Sequence, residues 1–428
     1  MNSEWPIAKL GDLTVNFDTK RKPVKGPDRK PGPYPYYGAS GIVDYVDGYI
    51  FDGEYLLIAE DGENLRTRQT PIAFRACGKF WVNNHAHIVV GNERAITRYL
   101  EYALLASDIT SYLTGAVMPK LTQGNMNLIE VPCPPRDVQV QIVSVLGALD
   151  DRITLLRETN TTLEAIAQVL FKSWFVDFDP VHAKVRGRAP EGMDEATAAL
   201  FPDSFGDSEL GPVPKGWSIS SVADVTEIVK GKSYSSKDLV DQHTTALVTL
   251  KSFERGGGFR MDGFKPYSGT FKPNQVVTPG DLIVAYTDVT QAAELIGKPA
   301  IVVGIEAHDT LVASLDVGIV RPDYSVCGRQ FLYGLFKTDS FQSHTLARTS
   351  GTTVLHLSKD GVGSYQFALP SYGVIKIFEN IATQLAERRQ INSDQVRSLS
   401  LLRDTLLPRL ISGQLSTSDT QAIAEFLA

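Results

Sequence analysis

Ile142-Val143-Ser144-Val145-Leu146-Gly147-Ala148-Leu149 opens a run in which apolar side chains return at alternating steps of four and three: Ile142, Leu146, Leu149, Ile153, Leu156, Leu163, Ala167, Leu170 and Trp174, with Asn160 in the same series. On a helix this spacing keeps one stripe facing one way, and sustained over several heptads it is the pattern of a coiled-coil seam. Asp150, Asp151, Arg152, Arg157 and Glu158 fall between the stripe positions and give the helix a wet face. At about 1.5 Å per residue, a helix of roughly 37 residues exceeds about 50 Å, longer than a small domain needs for itself, so the pattern predicts a spacer.

A second helix is predicted past Pro370, from about Val374 to Leu410, with Phe378, Ile381, Leu385, Val396, Leu399, Leu402, Leu406 and Leu410 as its stripe. Glu387-Arg388-Arg389-Gln390 interrupts it. Either helix alone would leave its stripe in water, so the two pair with each other, antiparallel, or with partner chains. The first arrangement is preferred, and the polar middle of the second helix is then a candidate partner contact. Asn160 at a seam position either fixes register at some cost in stability or is a solvated polar residue.

Working outward, the chain reads as two copies of one plan. Trp5-Pro6-Ile7-Ala8-Lys9-Leu10-Gly11-Asp12-Leu13-Thr14 aligns with Trp217-Ser218-Ile219-Ser220-Ser221-Val222-Ala223-Asp224-Val225-Thr226. Gly53 through Asp61 aligns with Gly280 through Asp288, each enclosing an apolar run that reads as a buried strand. Gly115-Ala116-Val117-Met118-Pro119-Lys120-Leu121-Thr122 aligns with Gly351-Thr352-Thr353-Val354-Leu355-His356-Leu357-Ser358, and the same offset carries Pro134 onto Pro370 and Leu170 onto Leu406. The offset grows along the chain, so the second copy has gained residues inside its module. Two similar surfaces in one chain suit a target with two half-sites.

Segments 1–134 and 213–370 share a β-rich texture of short apolar runs broken by Gly, Pro, Asp and Asn, each with a helix, near Ala95–Ser107 and Gln330–Ala347. The expected fold class is α+β: globular modules at 1–134 and 213–370, a long helix within 135–180, a linker at 181–212, a second long helix within 371–415 and a tail at 416–428. The pairing helices join the modules with internal pseudo-two-fold duplication.

A net charge of -7 and a pI near 5.6 argue against a globally basic nucleic-acid binder. Charge acts within about a Debye length, roughly 8 to 10 Å, so basic faces such as Lys20-Arg21-Lys22 with Lys25, Arg29 and Lys30 remain open to DNA. Lys and Arg suit phosphates, while Arg, Asn, Gln, Ser, Thr and Tyr reach base edges. The candidates in the first module are Lys20, Arg21, Lys22, Lys25, Tyr36, Tyr37, Ser40, Arg66, Arg68, Asn83, Asn84 and Lys120; in the second, Lys230, Lys232, Ser233, Tyr234, Lys251, Arg255, Arg260, Thr287, Arg348, Thr352, Thr353 and His356.

Other chemistry lacks its signatures. Cys77, Cys133 and Cys327 are far apart with no CxxC, so neither a disulfide framework nor a thiolate zinc site is indicated. His85-Ala86-His87 has metal spacing but no third ligand nearby, which favours packing or a surface role. There is no P-loop, no GxSxG elbow and no methyltransferase loop, and Pro27-Asp28-Arg29-Lys30 holds only fragments of a nuclease cation motif, in which Asp28 would have to serve in both acidic places. No active site is expected. With no apolar run long enough to span a membrane and no leader at the N-terminus, a cytoplasmic location is expected.

Leu170-Phe171-Lys172-Ser173-Trp174-Phe175-Val176-Asp177-Phe178-Asp179-Pro180-Val181 resembles the central conserved region of specificity subunits of type I restriction-modification systems. Phe201-Pro202-Asp203-Ser204-Phe205 and Pro214-Lys215-Gly216-Trp217 continue the likeness, and Arg403-Asp404-Thr405-Leu406-Leu407-Pro408-Arg409-Leu410-Ile411-Ser412-Gly413 resembles the family's C-terminal end. The resemblance implies two target-recognition domains reading the halves of an asymmetric, bipartite double-stranded DNA site. It implies helices that set the spacing and dock two methyltransferase subunits, with restriction and translocation subunits joining the full complex. The chain itself would carry no cofactor; S-adenosylmethionine, and ATP with magnesium, would sit on the partners. The alternatives are a fragment of a fused restriction-methylation enzyme and a protein-protein adaptor without DNA readout.

Overall fold

The computed structural model describes residues 4–415 apart from 262, 291 and 305–307, so the expected tail at 416–428 lies outside the described residues. The helices that carry the packing are α1 (Thr97–Ala106), α2 (Arg136–Phe175), α3 (Arg329–Phe336) and α4 (Tyr372–Ser412). The chain forms two compact units, residues 1–158 with 392–428 and residues 159–391. The division falls inside α2 and α4, whereas the sequence reading gave the helices domains of their own. Each half of either long helix packs with a different module. Among the described residues no helix is long and apolar enough to cross a membrane.

The first unit holds β1 (Ile7–Lys9), β2 (Thr14–Asn16), β3 (Pro31–Gly38), β4 (Gly41–Val46), β5 (Phe51–Ala59), β6 (Ala73–Val82), β7 (Ala86–Gly91) and β8 (Glu130–Pro132). β1 pairs antiparallel with β8, and the main sheet runs β2-β7-β5-β6-β3-β4. The apolar run on β5 is buried on both sides of that sheet, which explains why it does not alternate. Leu56 and Ile58 pack with Tyr99, Leu100 and Ala103 of α1, and Leu57 packs with Phe51, Phe80 and Ile88 on the other side. The first half of α2 and the last of α4 close this core through Ile142, Leu146, Leu149, Leu406 and Leu410.

The second unit repeats the frame with β9 (Ser218–Ser221), β10 (Thr226–Lys230), β11 (Leu282–Ala285), β12 (Pro299–Ile301), β13 (Val317–Pro322) and β14 (Gln366–Leu369). β9 pairs with β14 as β1 does with β8, and the sheet β10-β13-β11-β12 reproduces β2-β7-β5-β6. Even the threonine common to both copies acts alike, since Thr14 Oγ1 donates to the Leu10 carbonyl at 2.8 Å and Thr226 Oγ1 to that of Val222 at 2.7 Å. The gained residues are now visible. Where the first unit has β3 and β4, the second has a separate sheet of Thr245–Val248, Lys265–Pro266, Val276–Val277 and Thr310–Ala313, containing a parallel pair.

Both units carry their share of a two-helix seam, and in the second the pairing is antiparallel: Glu164 of α2 meets Arg389 of α4, while Trp174 meets Phe378. Ile142, Leu146, Leu149, Ile153, Leu156, Trp174, Phe378, Leu406 and Leu410 are buried as expected. Asn160, Leu163, Leu170, Leu385, Val396 and Leu399 are half-buried. Ile381 and Leu402, expected in the stripe, are each 36% exposed. Near the end of α2 the buried positions shift by one, to Phe171 and Phe175 at 2% and 8% exposure. An α-helix has 3.6 residues per turn, so a strict heptad stripe drifts by about 20° per heptad and over four heptads loses nearly one position.

Two expectations change. Residues 181–212, read as a linker, fold onto the second unit, where Val181 and Phe201 enter the core with Trp174 and Trp217. Glu387-Arg388-Arg389-Gln390, read as a candidate partner contact, includes Arg389, which turns inward to Glu164. Asn160 is half-buried and donates through Nδ2 to the Arg389 carbonyl of α4 at 3.2 Å.

Candidate nucleic-acid interface

The third aligned block, Gly115–Thr122 and Gly351–Ser358, folds into the same hairpin in both units. In the first, Thr114 and Lys120 form an antiparallel bridge, and Lys120 also bridges Asp61 just after β5. In the second, Ser350 pairs with His356, and His356 pairs with Thr287 just after β11. The backbone anchors match as well: the Leu121 amide donates to the Glu60 carbonyl and the Leu357 amide to that of Tyr286, each at 2.8 Å.

Glycine is required at both turns. Gly115 and Gly351 have φ of +86° and +103°, and a Cβ there would lie 2.2 Å from the Met118 carbonyl oxygen and 2.0 Å from that of Val354. The turn thereby folds its tip outward. Val117 and Met118 are 94% and 63% exposed, and Thr353 and Val354 occupy the same exposed places in the second hairpin, with Thr352 exposed before them. The strand behind the tip is buried at Leu121 and Leu357, so the tips are held from beneath.

Polar groups stiffen the base of the first hairpin. The His87 ring, 1% exposed, contacts Asp18 Oδ2 through Nδ1 at 2.6 Å and the Leu121 carbonyl through Nε2 at 2.8 Å. Burial pushes the Asp18 carboxyl up, but the hydrogen bonds from His87 and the Ile88 amide and the charges of His87 and Arg21 outweigh it and hold the group below the usual range. Arg21 Nη1 donates to Glu60 at 2.7 Å, and Lys120 Nζ lies 3.4 Å from the other Glu60 oxygen. Arg66 Nη2 donates to the Gly115 carbonyl at 2.8 Å. Under the second hairpin, Thr287 Oγ1 donates to Asp316 at 2.6 Å, and buried Asp288 accepts the amides of Thr290, Leu295 and Ile296.

The structure therefore sorts the residues named from the sequence. It gathers Arg66 and Lys120 on the first hairpin and Arg348, Thr352, Thr353 and His356 on the second, all exposed. Lys20, Lys22, Lys25, Ser40 and Asn84 are exposed elsewhere on the first module, and Lys230, Ser233, Lys251, Arg255 and Arg260 on the second. Lys232 and Tyr234 are half-buried beside the inserted sheet, where the Lys265 ammonium lies 5.8 Å from the Tyr234 ring centre. Arg255 pairs with Glu294 at 3.2 Å.

Several candidates face inward. Tyr36 is fully buried, and its hydroxyl accepts from the Val24 amide at 2.9 Å. Asn83 is buried and accepts the His85 amide, Thr287 is 5% exposed, and Tyr37 stacks in the core with Phe74 and Phe80. Arg21 is committed to Glu60, Asp18 and the Ala86 carbonyl, and Arg68 to the carbonyls of Leu105 and Ser107. A polar side chain with DNA-reading chemistry serves equally well to satisfy buried backbone groups, so residue type alone could not separate the two uses. Sequence reasoning missed Val117 and Met118, although the aligned glycines already marked the turn that exposes them.

His85 pairs with Asp61 at 2.8 Å, and among the described residues no group of His, Cys, Asp and Glu is arranged to hold a metal ion.

The chain is a duplicated α+β protein whose two modules share a frame and an exposed hairpin while differing in what fills them. Comparison with known proteins shows what the chain is similar to. Residues 2–165 match the family model for the type I restriction modification DNA specificity domain. A putative type I restriction enzyme specificity subunit of Haemophilus influenzae is 42% identical over 147 residues, a match covering 34% of this chain and 37% of that relative. More distant relatives run nearly end to end. The HindI specificity subunit of Haemophilus influenzae is 24% identical, with 85% of this chain and 84% of the relative covered. The MjaIX specificity subunit of Methanocaldococcus jannaschii is 23% identical, with 97% and 94% covered. The crystal structure of a type I system S subunit from M. genitalium shares the fold, with a TM-score of 0.57 at 14% identity over 96% of each chain. The resemblance drawn from the closing motifs is matched by these comparisons: residues 2–165 are similar to the DNA specificity domain of type I systems, and most of the chain is similar to type I specificity subunits.

Proposed function

We propose that this chain is the non-catalytic, sequence-reading subunit of a type I restriction-modification complex, and that each module reads one half of an asymmetric, bipartite site in double-stranded DNA. The observation that carries the reading is the pair of hairpins. One backbone device, fixed by Gly115 and Gly351, presents Val117, Met118 and Lys120 in one module and Thr352, Thr353 and His356 in the other. An identical scaffold with unlike tips is what two different half-sites require, because base identity is read by side chains and not by the backbone that positions them.

In this reading the long helices set the gap between half-sites and dock two methyltransferase subunits, and restriction and translocation subunits join for cleavage. S-adenosylmethionine, ATP and magnesium belong to those partners. The test is co-expression with the cognate methyltransferase, followed by methylome sequencing and footprinting. A methylated motif split into two unlike halves by a fixed gap is expected. One continuous motif, or association with DNA that salt leaves unchanged, would count against it.

A further inference from the structure

Each unit ties its module to the long helices through the same three kinds of group. In the first, the hydroxyl of Tyr102 on α1 donates to Asp150 Oδ2 of α2 at 2.6 Å, and Arg403 Nη1 of α4 donates to the other oxygen, Asp150 Oδ1, at 2.9 Å. In the second, the hydroxyl of Tyr333 on α3 donates to Glu164 Oε1 of α2 at 3.0 Å, and Arg389 of α4 takes Glu164 Oε2. Both tyrosines are buried, at 2% and 8% exposure, and both carboxylates lie on α2. Lys337, just past α3, adds a further cation 3.5 Å from Glu164.

The two clamps are not copies of one another. The alignment that carries Leu170 onto Leu406 places an alanine, Ala167, opposite Arg403, so the arrangement has been reached twice with different residues. Recurrence without descent points to a requirement of the assembly. Close approach is built in at both: a Cβ on Gly147 of α2 would lie 2.8 Å from the Arg98 guanidinium carbon, and one on Gly334 of α3 would lie 2.4 Å from the Phe171 ring.

We propose that Tyr102 with Asp150 and Arg403, and Tyr333 with Glu164 and Arg389, are positioning residues that fix the seat of each recognition module on the helix pair and thereby the tolerated gap between half-sites. The proposal rests on the bipartite-site reading above. Apolar contacts between module and helices are non-directional and tolerate small slides. A partly buried carboxylate shared between a buried tyrosine and an arginine does not, because a slide leaves the buried hydroxyl and the carboxylate short of a partner. Apolar packing therefore supplies most of the adhesion, and the clamp supplies the seat. At Glu164, burial pushes the carboxyl up, but the charges of Arg389 and Lys337 and the hydrogen bonds of Gln168 and Tyr333 keep it ionised and able to hold both partners.

The experiment uses the full chain with its methyltransferase and a DNA library holding both half-sites at gaps from two base pairs short to two long. Y102F and Y333F each remove one hydroxyl and no ring. Each is expected to raise methylation at off-length gaps, relative to the native gap, by about tenfold, the scale of one hydrogen bond to a charged group, with the half-site sequences unchanged. F341L is the control, since the Phe341 ring is buried in the second module, stacks on Phe336 and has no polar group with which to hydrogen-bond the clamp. It loosens that module and should leave the gap profile alone. Native-like profiles in Y102F and Y333F, or equal broadening by F341L, would overturn the clamp while leaving bipartite readout standing. A wild-type complex indifferent to gap length would overturn both.

Discussion

Replacing Gly351 or Gly115 by alanine tests whether the twin hairpins are the DNA-facing elements. The added methyl enters a backbone with φ of +103° or +86°, which costs an L-residue about 1 to 2 kcal/mol. The clash adds to this. A Cβ at 2.0 Å from the Val354 oxygen, or 2.2 Å from the Met118 oxygen, must move by more than about 1 Å to reach ordinary contact, so the tip cannot keep its place. The strands beneath, anchored at Leu121 and Leu357, have no reason to unfold. Expected effects are a small loss of overall stability and a fall of tenfold or more in the ratio of specific to nonspecific binding by the assembled complex, corresponding to about 1.4 kcal/mol of lost readout. Binding titrations on cognate and scrambled duplexes at one fixed salt concentration measure the ratio. Gly124 is the control, because a Cβ there meets nothing within 4 Å and its φ is ordinary. If G115A and G351A keep the native ratio while hydrogen exchange shows the tips rearranged, the hairpins do not face DNA.

Three further outcomes follow. F378A removes a ring that packs on Phe171, Trp174 and Phe175 and should destabilise the second unit by about 3 to 5 kcal/mol in denaturant unfolding, whereas I381A on the half-open side of the same helix should cost under about 1 kcal/mol; equal costs would contradict the seam register. K120A should lower the slope of log affinity against log salt by about one, leaving relative preferences among sequences nearly unchanged, if Lys120 meets a phosphate. Asp18 and Glu164 both have carboxyls held below their usual range in the folded chain, so their stabilisation is full above the unfolded carboxylate pKa, about 4, and is lost as pH falls through the lower folded values. Unfolding followed from pH 6 downward should show stability dropping below about pH 4, with less of that drop in D18N and E164Q.

The sequence carried the helices and the frame because periodicity and repeats are properties of position. Ile142, Leu146 and Leu149 needed only a helical period to be placed in the core, and Trp5 and Trp217 needed only each other to reveal the copy. What it could not carry was the direction in which a polar side chain turns. Tyr36 and Tyr37 stand beside each other among the candidates for DNA contact, yet one is sealed around the Val24 backbone and the other joins an aromatic cluster. Arg389 sits within a run of four polar residues that reads as a candidate contact for a partner chain, yet it pairs with Glu164 on another helix, far off in the same chain. Such pairings are decided by tertiary contact, and no local period reports them.

Growth of the second copy separates what the frame must keep from what a reader is free to change. The strands β1, β2, β5, β6, β7 and β8 recur as β9 to β14, and the hairpin recurs between the same neighbours, while β3 and β4 give way to a four-stranded sheet. Everything retained either packs on the long helices or carries the hairpin; everything exchanged lies on the far strands of the sheet. Insertion there costs little, because it adds a separate sheet beside the conserved one and lengthens connections whose closure entropy grows slowly with length. On the proposed reading, such a chain can alter what one module reads while preserving its seat, and the unlike tips at Val117-Met118 and Thr353-Val354 show the same freedom on a smaller scale. Exchanging the segment 115–118 for 351–354 within an otherwise unchanged chain should then alter one half-site preference and leave the gap as it was; a changed gap with an unchanged half-site would invert the assignment of reading to the hairpins and spacing to the clamps.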